Sequence, residues 1–138
     1  MHPDPDARGA FVGLTVRHTQ AHLTRAVLEG VSYGLRDSLE LMRGLGLQAG
    51  TVRASGGGIK SAFWRQLLAD VFGADLSLVT STEGAAFGAA LLGGVAAGVW
   101  PTVEKAGDAT VRVVGVTAPS TDRTAFEQGY RTYRHLYP

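Results

Sequence analysis

Apolar residues recur at spacings of three and four between about residues 19 and 45: Leu23, Val27, Val31, Leu35, Leu39 and Met42. That period predicts a long helix with one apolar face. Arg25, Glu29, Arg36, Glu40 and Arg43 fall mostly on its other faces. Gly30 and Gly34 lie four apart and are expected to let another backbone come close, at some cost in helix propensity. Gly44 and Gly46 end the pattern. Ahead of it, residues 1–14 read as extended or irregular, with Pro3, Pro5 and three charges before Phe11-Val12-Gly13-Leu14.

The period then changes. Thr51-Val52-Arg53-Ala54-Ser55 reads as a short strand, broken by Gly56-Gly57-Gly58. A helix is expected from about residue 61 to 72, carrying Phe63, Leu67, Leu68, Val71 and Phe72, with Gly73 as its left-handed stop. Residues 76–80 read as a second strand. Residues 83–97 read as a thin Ala- and Gly-rich helix, expected to be buried. Residues 103–106 suggest a short helix and 111–114 a strand. A last helix begins near Pro119, with Ser120 as its expected N-cap and Phe126, Tyr130, Tyr133 and Tyr137 on one face. Strand, glycine loop, helix, strand, helix across 51–98 implies a parallel pair of strands and an α/β class. No internal repeat is evident.

Composition narrows this picture. The chain has 138 residues, enough for one domain or a large piece of one, and 45% of them are apolar, enough for a core. Thirteen basic and twelve acidic residues leave a net charge of +1, which argues against a nucleic-acid footprint. With no cysteine, disulfides and thiolate metal sites are excluded, which suits a cytoplasmic protein. The start carries no signal-peptide pattern, and no run approaches the roughly 18 apolar residues of a membrane span.

The glycine run is the main chemical candidate. Without side chains, Gly56, Gly57 and Gly58 let backbone approach a ligand or take positive φ. The following helix offers N–H groups and the positive end of its dipole to a phosphate or ribose edge. Ser61 can cap that helix or bond the ligand, and Lys60 offers a cation. The run fails two standard patterns. A Walker A loop with its lysine at Lys60 needs glycines where Ala54 and Ile59 stand, and G-x-G-x-x-G started at Gly56 ends on Ser61. Judged locally, a tight turn without a ligand and a ligand loop stand about level.

Context separates them. The string from Ala54 to Asp70, A-S-G-G-G-I-K-S-A-F-W-R-Q-L-L-A-D, resembles the glycine loop and helix of the FGGY carbohydrate kinases, xylulokinases above all. Residues 8–15, R-G-A-F-V-G-L-T, resemble that family's R-G-x-x-x-G-L-T segment. Residues 18–36, centred on A-V-L-E-G, are similar to its long helix, and residues 83–90, E-G-A-A-F-G-A-A, to its E-G-A-A-x-G-A-A helix. The resemblance implies an actin-like ATPase fold of two ribonuclease H-like domains with ATP between them. It implies that Gly56, Gly57 and Gly58 line the nucleotide and that Ser61 lies near the adenine. It further implies Mg-ATP phosphorylating a sugar or polyol hydroxyl, with magnesium held mainly by ATP and by parts outside this sequence.

Members of the family are much longer chains. The D-x-G-T-type phosphate loop, the G-D-Q-type segment and the catalytic Asp beside it have no match here. Among the twelve acidic residues, Glu83 draws notice as a helix-start acid, better read as a cap or supporting group. No residue is assigned as the catalytic base, and none as a metal ligand. The chain is accordingly expected to be the carboxy-terminal portion of a nucleotide-binding kinase domain, without activity alone. A non-catalytic interaction or dimerisation module, and one chain of a split kinase needing a complementary half, are the alternatives.

Three further features read as structural. His18 and His22 are four apart but lack the H-E-x-x-H pattern and a third ligand. The aromatic face of the last helix is expected to pack on its own domain rather than stack bases. Trp64 either borders the adenine or joins Phe63 in wedging its helix onto the sheet.

Overall fold

The computed structural model describes residues 6, 8–47, 51–80 and 84–136. Helix α1 spans Gln20–Gly44, followed by strand β1 (Thr51–Ala54), a 3-10 turn (Gly58–Lys60) and helix α2 (Ala62–Phe72). Strand β2 (Asp75–Val79), helices α3 (Gly84–Ala96) and α4 (Val103–Thr110), strand β3 (Val113–Thr117) and helix α5 (Thr124–Arg134) complete the order.

The sheet runs β1-β2-β3. β1 pairs with β2 in parallel, Val52 opposite Leu76 and Ala54 opposite Leu78, as a crossover through one helix requires. β3 pairs with β2 antiparallel, with a register shift at Leu78/Val79. The α/β reading therefore holds, with an antiparallel strand at one edge.

The core lies between α1, α2, α5 and one sheet face. Leu67, Leu68, Ala69, Val71 and Phe72 of α2 meet Leu76 of β2, Tyr33 and Leu39 of α1, and Tyr130 of α5. Leu76 is 1% exposed. Burying such a side chain is worth about 1.5–3 kcal/mol. Tyr33, Tyr130 and Tyr133 form a ring cluster with centroids 5.7 to 6.4 Å apart. The aromatic face of the last helix thus packs on its own domain; Tyr137 lies outside the described residues.

Several expectations need correcting. α1 forms where expected but turns a different face inward. Ser32, Tyr33, Arg36 and Leu39 are buried, while Val27, Val31, Leu35 and Met42 are 44 to 52% exposed. Tertiary bonds choose this face. Arg36 forks onto Glu127 of α5 with two bonds of 2.9 Å, and its guanidinium sits 4.2 Å from the centre of the Tyr130 ring. No other backbone approaches Gly30, and Gly34 meets only the Tyr133 hydroxyl. The apolar helix α3 contains no buried residue. It folds instead against α4 and Trp100, whose ring covers Gly94.

The third strand begins two residues later than expected because α4 runs on to Thr110, whose hydroxyl bonds the Ala106 carbonyl at 2.7 Å. Ser120 does not cap α5. Its backbone N–H donates to Asp70 at 2.6 Å, and α5 starts at Thr124, whose N–H donates to Asp122 at 3.0 Å. Among the described residues, no helix is long and apolar enough to cross a membrane.

Candidate functional site

β1 and β2 run parallel, so both release the chain at the same edge of the sheet. Ligands of open α/β sheets bind outside the carboxyl ends of their strands. β1 leads there into Ser55, Gly56, Gly57 and Gly58, and β2 leads toward α3. The two exits touch. A Cβ at Gly84, the first residue of α3, would lie 2.7 Å from the Ser55 hydroxyl. Ser55, which leads into the glycine run, thus meets the first residue of α3, about 30 residues on in sequence, at one edge; Glu83 itself lies outside the described residues.

The three glycines differ. Gly56 has φ +105°, a conformation that side chains resist. Around both Gly56 and Gly57 an added Cβ would meet nothing within 4 Å, so their α-carbons face open space. Gly58 is covered by the Trp64 ring. This is room for a ligand at 56 and 57 but not on the ring side of 58.

Ser61 is the N-cap of α2, its hydroxyl accepting the Trp64 N–H at 3.3 Å. A 3-10 turn separates the glycines from α2, which the sequence reading did not anticipate. That turn consumes the Lys60 and Ser61 amides, which donate to the Gly57 and Gly58 carbonyls at 3.2 and 3.1 Å. Those two amides are therefore not offered to a ligand. Arg65 also turns back, donating to the Ile59 carbonyl at 2.8 Å and the Lys60 carbonyl at 3.2 Å. Lys60 is exposed at the loop. Arg65 and Trp64 were missed as supports of the loop, because a contact reaching back across a helix start leaves no periodic signal.

A cavity of about 450 Å³ opens beside the loop's helix, lined by Gln20, Ala21, Thr24, Arg25, Leu28 and Phe63. None of the glycines or Ser61 lines it. Phe63 is half exposed, 5.9 Å from the Arg25 guanidinium, whereas Trp64 packs against the core. The expected pair is therefore split between two environments.

The acids of α1, α2 and α5 are held by structural partners. Glu29 pairs with Arg25, Glu40 with Arg36 and Arg43, and Glu127 with Arg36. Asp37 accepts the Tyr130 hydroxyl at 2.6 Å, and Asp70 accepts from Gln66 and Ser120. Hydrogen bonds from Arg36 hold the Glu127 carboxyl below the usual carboxylate range, against the upward push of its partial burial. His18 and His22 present Nδ1 to the backbone N–H groups of Thr15 and Thr19 at 2.9 and 3.1 Å. The second of these bonds closes the start of α1. Among the described residues, no three His, Asp or Glu side chains come together as a metal site. Residues 8–19, which include the R-G-x-x-x-G-L-T segment, are exposed throughout.

The fold and its motifs recur in known proteins. The chain is similar to a xylulose kinase of Staphylococcus epidermidis, 37% identical over 99% of this chain and 28% of that protein. It is also similar to a glycerol kinase of Shewanella amazonensis, 40% identical over 74% of this chain and 21% of that one. Among solved structures, a xylulose kinase from Brucella ovis superposes with a TM-score of 0.84 at 32% identity, covering 98% of this chain and 28% of that one. The chain therefore spans about 28% of the length of the xylulose kinases it matches, and its fold is that of the actin-like, ribonuclease H-like sugar kinases. With residues 1–97 matching that family's C-terminal domain, and with the glycine loop and the E-G-A-A helix at one sheet edge, this chain belongs to the FGGY family of carbohydrate kinases.

Proposed function

We propose that this chain is the nucleotide-holding part of a sugar kinase that transfers the γ-phosphoryl group of ATP to a sugar hydroxyl, with xylulose as the sugar. The observation that carries the reading is the meeting of Ser55, the residue before the glycine run, with the start of α3 at the carboxyl edge of the parallel strands. Gly56 and Gly57 present backbone with open space beside it, the shape a nucleotide needs for close approach. In this reading Ser61, whose hydroxyl oxygen caps α2, turns its hydroxyl proton to the adenine.

In this reading the chain binds and orients ATP. Magnesium, carried by the phosphates and by protein outside this sequence, would supply charge neutralisation during transfer. In the transfer the sugar oxygen bonds to the γ-phosphorus, the β–γ bridging bond breaks, and the hydroxyl proton passes to a base. The five acids of α1, α2 and α5 are committed to structural partners and no acid of this sequence matches the family's G-D-Q-type catalytic segment, so this reading assigns the base to a complementary portion of the kinase. The reading places the protein in the cytoplasm, where ATP and free sugar meet.

Titrating ATP into the ¹⁵N-labelled chain tests this. Amide shifts centred on Gly56, Gly57 and Ser61 are expected, and absence of any shift there at millimolar ATP would overturn it. Phosphorylation assays on the chain together with its own complementary portion, offered xylulose, glycerol and gluconate, test the sugar. A preference for glycerol or gluconate would remove xylulose.

A second reading, a module that associates with another chain, is favoured by one observation. α3 is apolar on every side yet contributes no buried residue. An all-round apolar helix is ordinarily covered. Light scattering tests it: a monodisperse monomer at high concentration would count against self-association, and kinase activity appearing on addition of a complementary half would favour a split enzyme.

A further inference from the structure

We propose that Trp64 is a positioning residue, clamping the glycine loop to α1 and so setting the shape of the nucleotide site; for the identity of the ligand, this rests on the nucleotide reading above. A Cβ at Gly58 would collide with Cζ3 of Trp64 and lie 2.7 Å from its Cε3 and 3.2 Å from its Cη2. All three atoms lie along one edge of the six-membered ring, so that edge, Cζ3 foremost, abuts the Gly58 α-carbon. Its other end points to α1. The indole N–H donates to the Ser32 hydroxyl at 3.4 Å, and that hydroxyl donates to the Leu28 carbonyl at 2.7 Å. Ser32 is fully buried, so this end is anchored in a part of the structure that does not move easily. The Trp64 backbone N–H is held by Ser61, which fixes where the indole starts.

The run of glycines thereby resolves into three roles. Gly56 answers to its positive φ, Gly57 stays open, and Gly58 makes way for the indole. A triple glycine left alone has high conformational entropy, which a ligand would have to remove on binding. A loop already held in place avoids much of that cost. Trp64 needs no contact with the ligand to raise its affinity.

Substitution from both sides of the contact tests the clamp, using amide hydrogen exchange and ATP titration on the 138-residue chain. Trp64→Leu is expected to speed exchange of the Lys60 and Ser61 amides and to weaken ATP binding, each on the order of tenfold, by releasing the ordered loop. The amides of Val71 and Phe72, late in α2, should keep their protection. Gly58→Ala strikes the same contact from the loop side and leaves the core side chain in place, so it decides the matter if Trp64→Leu unfolds the chain. The double variant Gly58→Ala/Trp64→Leu should recover part of the loop protection, because the added methyl fills the space the ring leaves. A merely structural tryptophan would instead loosen α2 and the loop alike, and the two substitutions would add. Additivity, or unchanged loop exchange in Gly58→Ala, overturns the proposal. Should the unaltered chain show clamp-dependent exchange but no response to ATP, the nucleotide reading falls while the clamp stands.

Discussion

Arg36 shows how much one side chain can organise. It is buried, forks onto Glu127, reaches Glu40 at 3.3 Å and lies over Tyr130. The Glu127 carboxyl is a stronger acid folded than unfolded, chiefly through the Arg36 bonds. Its stabilisation is therefore full above pH 4.5, the ordinary value, and is lost as pH falls below it through the folded value. Glu127→Gln should flatten that acid limb in urea titrations and cost about 1 kcal/mol at neutral pH, discounted for partial exposure. Tyr33 works at the other end of the scale. Burial, helped by the nearby Glu29 charge, pushes its hydroxyl up from 10.0 to about 12. The unfolded chain thus ionises first as pH rises. Stability is full below pH 10 and falls toward pH 12. Each such group contributes a slope of about 1.4 kcal/mol per pH unit in that window. Alkaline unfolding followed by tyrosinate absorbance should lose one group's slope in Tyr33→Phe.

Elements are held in register by few, specific ties. α2 starts at the Ser61 cap and ends at Gly73, and both ends were legible because capping chemistry is local. Ser61→Ala should cost about 1 kcal/mol in chemical denaturation. The approach to α5 was not legible. Ser120 precedes a helical pattern and has a capping side chain, yet Asp70 from α2 captures its backbone N–H and moves the helix start to Thr124. Asp70→Ala should accordingly cost about 2 kcal/mol, the worth of hydrogen bonds to a buried carboxylate. Ser120→Ala should stay within about 0.5 kcal/mol, because the bond uses backbone. Equal costs for the two would restore Ser120 as the cap.

The whole molecule divides into a tightly packed half and an open one. α1, α2, α5 and β2 share a core, while the side of α3 turned from α4 and Trp100 and the stripe of Val27, Val31 and Leu35 on α1 stay exposed. Leu76→Ala should therefore destabilise by about 2–5 kcal/mol. Val31→Lys and Leu92→Glu should each change stability by no more than about 0.5 kcal/mol, measured by thermal or urea unfolding. If the uncovered surfaces drive self-association, the same two substitutions should lower the mass seen by light scattering at high concentration. Unaltered mass in both would remove these surfaces from any association.

What the sequence determined alone was local in origin. The extent of α1, the strand–glycine–helix–strand order across 51–79, the Ser61 cap and the Gly73 stop all follow from interactions within a few residues. Family membership was legible for the same reason, since its motifs are short runs with fixed neighbours. Tertiary structure decided which face of α1 turns inward, because Val31 and Tyr33 are both acceptable to a core and only the distant Glu127 and Tyr130 choose between their faces. It decided that α3 buries no residue fully despite its contact with α4 and Trp100, since an apolar pattern records an affinity for burial but does not supply the partner. It also separated the three glycines. In sequence they are identical, and only the Trp64 ring folding back over Gly58 makes one a packing site and leaves its neighbour open.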